Sequence, residues 1–165
     1  MKQHKKGFTL IELLITLAVL AIVVSWGLPS LQETIKNNRM AAQNNEMVAI
    51  LKYARSEAIR RNTDVQAVIA PTSNGWEAFV DDPVDEESVP GCTVGILRCT
   101  SNDSVNLSSS ATLTFNNRGY IRDEGDTTWS DATFYLQHEN CRGQNQRRLI
   151  HIAPTGQVSS CSLSC

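Results

Sequence analysis

The stretch that decides the fold lies near the amino terminus and reads GFTLIELLITLAVLAIVVSWGL from Gly7 to Leu28. From Phe8 onward it contains 21 residues with a single charged side chain, that of Glu12. A helix needs about 20 apolar residues to cross the roughly 30 Å hydrocarbon core of a bilayer, so this stretch can span one. A carboxylate inside such a span is costly and usually has a function, which makes Glu12 the first candidate functional residue.

Three lysines, Lys2, Lys5 and Lys6, precede this stretch. A secretory signal peptide also has a basic start, but its apolar run is usually about 7 to 15 residues and ends at small residues. Here the run is longer and closes on the segment 25–29, SWGLP, which lacks such a cleavage site. A plain membrane anchor accounts for the length of the run, but not for a carboxylate placed just beyond Gly7.

The segment Gly7–Leu14, GFTLIELL, resembles the class III signal of type IV pilins and pseudopilins. The resemblance implies that a membrane prepilin peptidase cleaves after Gly7 and that the new terminal residue, Phe8, is N-methylated. Pro29 stands where helices of this family commonly have a proline kink. The resemblance also implies that Glu12 of one subunit meets the terminal amine of a neighbouring subunit and so takes part in subunit assembly.

The charge distribution predicts the orientation of the chain. The leader takes three of the 15 basic residues, which leaves 12 against 17 acidic residues, a net charge of −5. Basic residues beside a span stay in the cytoplasm, so the bulk of the chain lies on the far side, which for a bacterial chain is the periplasm. The net acidity argues against a general binder of polyanions.

The helical pattern resumes beyond Pro29, where an apolar stripe with three- and four-residue spacing predicts an amphipathic helix to about Arg61. The stripe contains Met47, Ile50, Leu51, Ala54 and Ala58. The polar stretch 32–43 before it is expected to have little burial. We therefore divide the chain into a leader at 1–7, a transmembrane and polymerisation helix at 8–28, its amphipathic continuation at 29–61 and a periplasmic β-rich head at 62–165.

Short alternating segments separated by turn residues predict strands in the remainder of the chain. The predicted strands are 63–70, 75–80, 93–97, 111–115, 133–136, 147–153 and 157–160. The acidic run 81–87 is expected to be a solvated loop. One long helix followed by many short strands indicates an α+β fold, with the helix packed on an antiparallel β-sheet or β-sandwich.

The five cysteines are Cys92, Cys99, Cys141, Cys161 and Cys165. An oxidising compartment favours disulfides, and an odd count leaves at least one cysteine unpaired. The preferred pairs are Cys92–Cys99, which closes a short loop, and Cys141–Cys161, which ties the last strand to its neighbour. Cys165 remains an alternative to Cys161 in the second pair.

Two later segments resemble one particular group within the type IV pilin-like proteins. The segment 113–119, LTFNNRG, and the segment 147–158, RRLIHIAPTGQV, resemble a turn and the closing hairpin of the GspH/FimT/FimU group. The resemblance implies a FimU-like minor pilin that is stored in the inner membrane, primes pilus assembly and sits in or near the pilus tip. Twitching motility, adhesion and DNA uptake are the downstream processes. The partners would be other minor pilins and the major pilin, through their amino-terminal helices.

Two alternatives remain within this resemblance, a FimT-like DNA-binding minor pilin and a GspH-like minor pseudopilin of type II secretion. FimT-like proteins carry a basic Gly-Arg-x-Arg tail, whereas the matching segment 156–159 reads GQVS and lacks both arginines. Arg142, Arg147 and Arg148 are the candidates for a substitute nucleic-acid patch. A solvated strand edge is the alternative role for these arginines, so DNA is an open but unfavoured partner.

The chain offers little catalytic chemistry. His138, Cys141 and His151 have a spacing that matches no standard zinc pattern, and an oxidising compartment favours a disulfide at Cys141. There is no glycine-rich phosphate loop and no Gly-x-Ser-x-Gly elbow in the sequence. We therefore expect no enzymatic activity, no metal site and no cofactor.

Overall fold

A long helix precedes a series of short strands. The computed structural model describes residues 7–73, 75–81, 96–102, 105–123, 128–138, 141 and 146–164, without the side chains of 26–30, 96, 97, 102 and 123. The helix α1 is Leu10–Arg61. The strands in these ranges are β1 Val65–Pro71, β2 Trp76–Asp81, β3 Ile96–Asn102, β4 Val105–Leu107, β5 Ala111–Phe115, β6 Ile121–Asp123, β7 Ala132–His138, β8 Arg147–Ile152 and β9 Val158–Leu163.

The chain separates into two units within α1, Met1–Lys36 and Asn37–Cys165. In the first unit, the large apolar side chains of α1 are exposed on every side of the helix. The helix includes position 29, while a bend at Pro29 remains a prediction. In the part of the chain whose side chains are described, no helix reaches the length and mean hydropathy required to cross a membrane.

In the second unit, α1 buries the apolar stripe that its spacing predicts. All five residues of the stripe, from Met47 to Ala58, are almost fully buried. Met40 is also buried, so the expectation of little burial throughout 32–43 is wrong at this position. The helix ends where Asn62 adopts a left-handed φ of 56° and the amide of Thr63 donates to the carbonyl of Ala58. This is the hydrogen-bond pattern of a Schellman cap, which stops the helix at Arg61.

The strands form two antiparallel sheets. The first has the order β3-β2-β1-β5-β6 and the second the order β4-β7-β8-β9. Alternate residues of β1, β2 and β7 are buried, as expected of strands with one face on a core. Trp76, Phe115 and Phe134 from the strands join Met47 and Leu51 of α1 in one hydrophobic cluster. The fold is therefore α+β, with the helix packed on antiparallel sheets, as predicted.

The strand predictions were good where alternation was clear and poor elsewhere. The prediction at 111–115 matches β5, and those for β1, β2, β7, β8 and β9 are correct to within a few residues. The strands β4 and β6 were missed, and most of β3 follows rather than coincides with the predicted 93–97. Of the acidic run 81–87, Asp81 is the last residue of β2 rather than part of a loop, and 82–87 lie outside the described residues.

Candidate functional site

The amino terminus of α1 is held by a capping residue. Residues 7–9 precede the helix, and the hydroxyl of Thr9 accepts a hydrogen bond from the amide of Glu12 at 3.3 Å. The carbonyl of Thr9 accepts the first helical hydrogen bond, from the amide of Leu13 at 3.2 Å. Thr9 is thus the N-cap residue and Glu12 lies in the first turn, the position that a capping box gives to an acid. The local signal for this cap in the sequence is the pattern Thr-x-x-Glu at 9–12.

The cap places the charge of Glu12 at a definite end of the helix. A carboxylate in the first turn interacts favourably with the positive end of the helix dipole. Glu12 is exposed, and no donor among the described residues reaches its carboxylate. Glu12, the acid predicted for subunit assembly, therefore lies exposed in the first helical turn, close to Phe8. A second molecule can reach its carboxylate there.

The surface that follows Glu12 is apolar over its whole circumference. Phe8 is 85% exposed, and every large apolar side chain from there to Val24 is at least 43% exposed. These side chains are Phe8, Leu10, Ile11, Leu13, Leu14, Ile15, Leu17, Val19, Leu20, Ile22, Val23 and Val24. Contiguous apolar surface of this extent marks an interaction site for protein or membrane. We call the segment 8–24 the apolar helix surface.

In the second unit, two turns are locked together. The turn at 116–120 contains Gly119 with a φ of 80°, and the turn at 153–157 contains Gly156 with a φ of 73°. The amide of Ile121 donates to the carbonyl of Pro154 at 3.0 Å. A Cβ atom added to Gly156 would lie 2.0 Å from the carbonyl oxygen of Gly119, so only glycine fits there. The two motifs that carry the family resemblance in this half of the chain thus have a structural role.

Arg55 of α1 fixes this pair of turns from the helix side. Its Nε donates to the carbonyl oxygen of Gly119 at 3.2 Å. A shallow cleft beside it is lined by Lys52, Arg55, Ser56, Ile59, Gly156, Gln157 and Val158. The helix therefore positions the turns as well as the core.

The two described arginines of the predicted nucleic-acid patch do not share a face. Arg147 and Arg148 are consecutive in β8, so their side chains point to opposite sides of the sheet. The guanidinium carbon of Arg147 lies 4.3 Å from the ring centre of Tyr135. Both arginines are half-buried and lie on an internal strand, between β7 and β9, so the alternative role at a solvated strand edge is wrong. Arg142 lies outside the described residues.

The structure contradicts one of the two predicted disulfides. Cys99 and Cys141 each take part in a disulfide, whereas Cys161 is free and exposed. The pair Cys141–Cys161 is therefore wrong. The reason is the register of β8 on β9, which pairs Cys161 with Leu149, eight residues beyond Cys141 in the sequence. Cys92 and Cys165 lie outside the described residues, so Cys92–Cys99 and the alternative pair Cys141–Cys165 both remain predictions.

The two histidines considered for a metal site are far apart. His138 ends β7 and His151 pairs with Thr133 near the start of that strand. Five residues of extended strand separate the two levels by about 17 Å. His151 instead lies 3.6 Å from a carboxylate oxygen of Asp131. In the described ranges there is no group of three or more residues of the types His, Cys, Asp and Glu that could hold a metal ion.

Comparisons with known proteins find matches both for the amino-terminal segment and for the rest of the chain. The profile of the family described as type II transport protein GspH matches residues 43–156, more than half of the chain. The profile of the prokaryotic N-terminal methylation motif matches residues 2–28. Among curated proteins, the fimbrial protein EcpC of Eikenella corrodens is 33% identical over 79 residues, which are 46% of this chain and 52% of EcpC. The chain thus spans about half the length of the curated relative it matches.

A solved structure shows the same fold. The crystal structure of the type IV minor pilin FimU of Pseudomonas aeruginosa aligns with a TM-score of 0.53 over 74% of this chain and 87% of FimU. A second crystal form of FimU aligns with a TM-score of 0.49. The sequence identity is 19%, so this likeness concerns the fold alone.

Proposed function

The chain belongs to the GspH family of type IV pilin-like minor pilins, and on that premise we propose that it primes pilus assembly and sits in or near the pilus tip. The observation that carries the proposal is the apolar helix surface, which begins at a capped turn holding one exposed acid. Such a surface serves packing against lipid or other helices and offers no catalytic group.

The proposal assigns each part of the chain a stage of assembly. Residues 1–7 are the leader, removed after Gly7 by the prepilin peptidase, and Phe8 becomes the methylated terminus. Residues 8–28 hold the subunit in the inner membrane, and residues 62–165 form a periplasmic head on the continuation 29–61. The subunit then joins other minor pilins and the major pilin. The match to the methylation motif supports this order of events.

Attachment would come from the apolar helix surface. Burying one exposed Leu, Ile, Val or Phe side chain contributes about 1.5–3 kcal/mol relative to water. The subunit exchanges lipid for neighbouring helices, so packing rather than water exclusion decides the difference between membrane and filament. Apolar contacts therefore hold the subunit in place. Because they are non-directional, they do not set its stagger, that is, its axial position relative to the neighbouring subunits.

Glu12 would set that stagger. In an apolar helix bundle, an unpaired carboxylate and an unpaired amine both lose hydration, and pairing lowers the cost of each. The carboxylate of Glu12 has no donor among the described residues, and it lies one turn from the terminus that cleavage would create at Phe8. We therefore assign the amine of a neighbouring subunit as its partner.

The test compares Glu12→Ala and Glu12→Gln with Glu33→Ala, which removes an exposed acid from the same helix beyond the apolar helix surface. Removing one partner of a buried pair costs about 3–5 kcal/mol, so incorporation of both Glu12 variants should fall more than tenfold. Leader cleavage and membrane levels should stay unchanged, as should incorporation of Glu33→Ala. The measurement is the amount of each variant in sheared filaments and in membranes, by immunoblot. Normal incorporation of Glu12→Ala would defeat the pairing.

The second candidate function is that of a minor pseudopilin in type II secretion. The description of the matching family as a type II transport protein favours it, whereas the likeness to EcpC favours a fimbrial role. Deletion of the gene, followed by separate assays of twitching, DNA uptake and exoprotein secretion, distinguishes the two. Lost twitching with normal secretion supports the pilus, and the reverse result supports secretion.

A further inference from the structure

The described part of the head exposes two aromatic side chains beside each other. Tyr120 is the last residue of the turn at 116–120 and is 40% exposed, and Trp129 is 46% exposed. Both line an open depression of about 360 Å³, together with Asn116, Asn117 and Arg118. This volume lies at the lower end of the range of small-molecule sites, roughly 300–1,000 Å³. We call these five residues the aromatic depression.

The two rings form a corner rather than a stack. Their centres are 6.2 Å apart and their planes are inclined by 47°. The guanidinium carbon of Arg122 lies 5.9 Å from the ring centre of Trp129, and the same guanidinium lies 4.0 Å from a carboxylate oxygen of Asp64. Arg122 thus supports the Trp129 ring, while the exposed area of both rings remains open to a ligand.

The polar groups around this corner are oriented by the turn. Oδ1 of Asn116 accepts hydrogen bonds from the backbone amides of Arg118 and Tyr120, both at 2.9 Å. These bonds fix the orientation of the Asn116 side chain, so its Nδ2 donor points away from the two backbone amides. Nδ2 of Asn117 donates to Oδ1 of Asn62 at 3.0 Å, which leaves its Oδ1 as an acceptor. Arg118 is exposed and adds further donors. Donors and acceptors therefore both border the aromatic surface.

The local charge decides the class of ligand. Arg122 is already countered by Asp64, and Arg118 is the one cationic residue among the five described residues that line the depression. A nucleic acid needs cationic groups that neutralise several phosphates, and this region does not supply that excess. A sugar ring matches better, because one of its faces presents C–H groups and its hydroxyls both donate and accept hydrogen bonds.

We propose that the aromatic depression binds a neutral saccharide, with one pyranose ring against Trp129 and Tyr120 and its hydroxyls bonded to Asn117 and Arg118. Aromatic rings supply contact area at low entropic cost, and oriented polar groups supply the selectivity. The site lies within the head and does not depend on Glu12, on the apolar helix surface or on the type of assembly the subunit joins. Failure of the pilus proposal therefore leaves this proposal standing, and the reverse also holds.

The test uses the full chain, labelled with ¹⁵N, in a detergent without a sugar headgroup. The probes are lactose, chitotriose and maltotriose, and single-stranded oligodeoxythymidine serves as the competing class. The readout is the indole N–H resonance of Trp129, which is assigned by its loss in Trp129→Phe. At least one saccharide should shift this resonance in a saturable manner, while the resonance of the buried Trp76 stays in place.

Variants identify the contacts. Trp129→Ala and Tyr120→Ala should each weaken binding about tenfold or more, read from resonances of the turn, and Arg118→Ala should weaken it severalfold. Lys52→Ala removes an exposed cation of α1, away from the aromatic depression, and should bind as the wild type does. Unchanged unfolding midpoints exclude loss of the fold. No shift with any saccharide, undiminished binding by Trp129→Ala, or a response to the oligonucleotide alone would overturn the proposal.

Discussion

Replacing Gly156 by alanine should break the contact between the two turns of the head. Alanine at a left-handed φ of 73° costs roughly 1–2 kcal/mol. The new Cβ would also lie 2.0 Å from the carbonyl oxygen of Gly119, a backbone atom, so the turns must separate. Separation removes the hydrogen bond from Ile121 to Pro154, which is worth about 1 kcal/mol. The expected total loss of stability is therefore about 2–4 kcal/mol.

The assay is urea unfolding of the unit Asn37–Cys165, which contains every buried core residue that the structure describes. Gly156→Asn separates the two causes, because asparagine tolerates left-handed φ but still carries a Cβ atom. It should be nearly as destabilising as Gly156→Ala, whereas Thr155→Ala, at an exposed neighbour, should be within about 0.5 kcal/mol of the wild type. A loss below about 1 kcal/mol for Gly156→Ala, or wild-type stability for Gly156→Asn, would refute the clash.

Two further predictions concern Glu57 and Cys161. Hydrogen bonds from Arg60, joined by those from Arg61, hold the pKa of Glu57 below its ordinary value of 4.5, although burial opposes them. Its contribution to stability is therefore present above pH 4.5 and is lost as the pH falls through the folded-state pKa. Glu57→Gln should cost about 1 kcal/mol or less at pH 7 and nothing at the lowest pH, measured by urea unfolding; a pH-independent cost contradicts this. An alkylating reagent should label Cys161 in the native protein, but Cys99 and Cys141 only after reduction, as peptide mass spectrometry would show; native labelling of Cys141 would contradict it.

The helix could be predicted well because its burial follows its own period. The stripe from Met47 to Ala58 recurs at helical spacing, and the structure buries all of it. The end at Arg61 was also correct, although no glycine marks it, since Asn62 supplies the left-handed residue. The helix starts at Leu10, two residues after the predicted start at Phe8, because Thr9 is its N-cap residue.

Strands were predictable only where both faces could be distinguished. Val65, Ala67 and Ile69 alternate with less buried positions, so β1 was found. The strand β4 has only three residues and lies between polar segments. Its Val105 and Leu107 are recognisable as strand residues only from their pairing with β7. Much of β3 is polar and is a strand because β2 supplies its hydrogen bonds. Short edge elements therefore depend on long-range pairing that local pattern does not contain.

The candidate sites divide in the same way. Glu12 stood out because a charge in an apolar run is visible in the sequence. The free thiol of Cys161 depends on the register of β9, which no spacing between cysteines reveals. That Arg147 and Arg148 lie on opposite faces of β8 follows from the sequence once the strand is predicted, since neighbouring residues of a strand point to opposite faces. Tyr120 and Trp129 are nine residues apart in sequence, and only the fold brings their rings together.

The most direct test of the central claim is the amino-terminal peptide of the protein purified from its own membranes. If the apolar helix surface belongs to a processed pilin-like subunit, mass spectrometry should find a peptide that starts at Phe8 and carries one additional methyl group. Expression without the prepilin peptidase should restore the peptide that starts at Met1. A native protein that retains residues 1–7, or that starts near residue 28, would contradict the account.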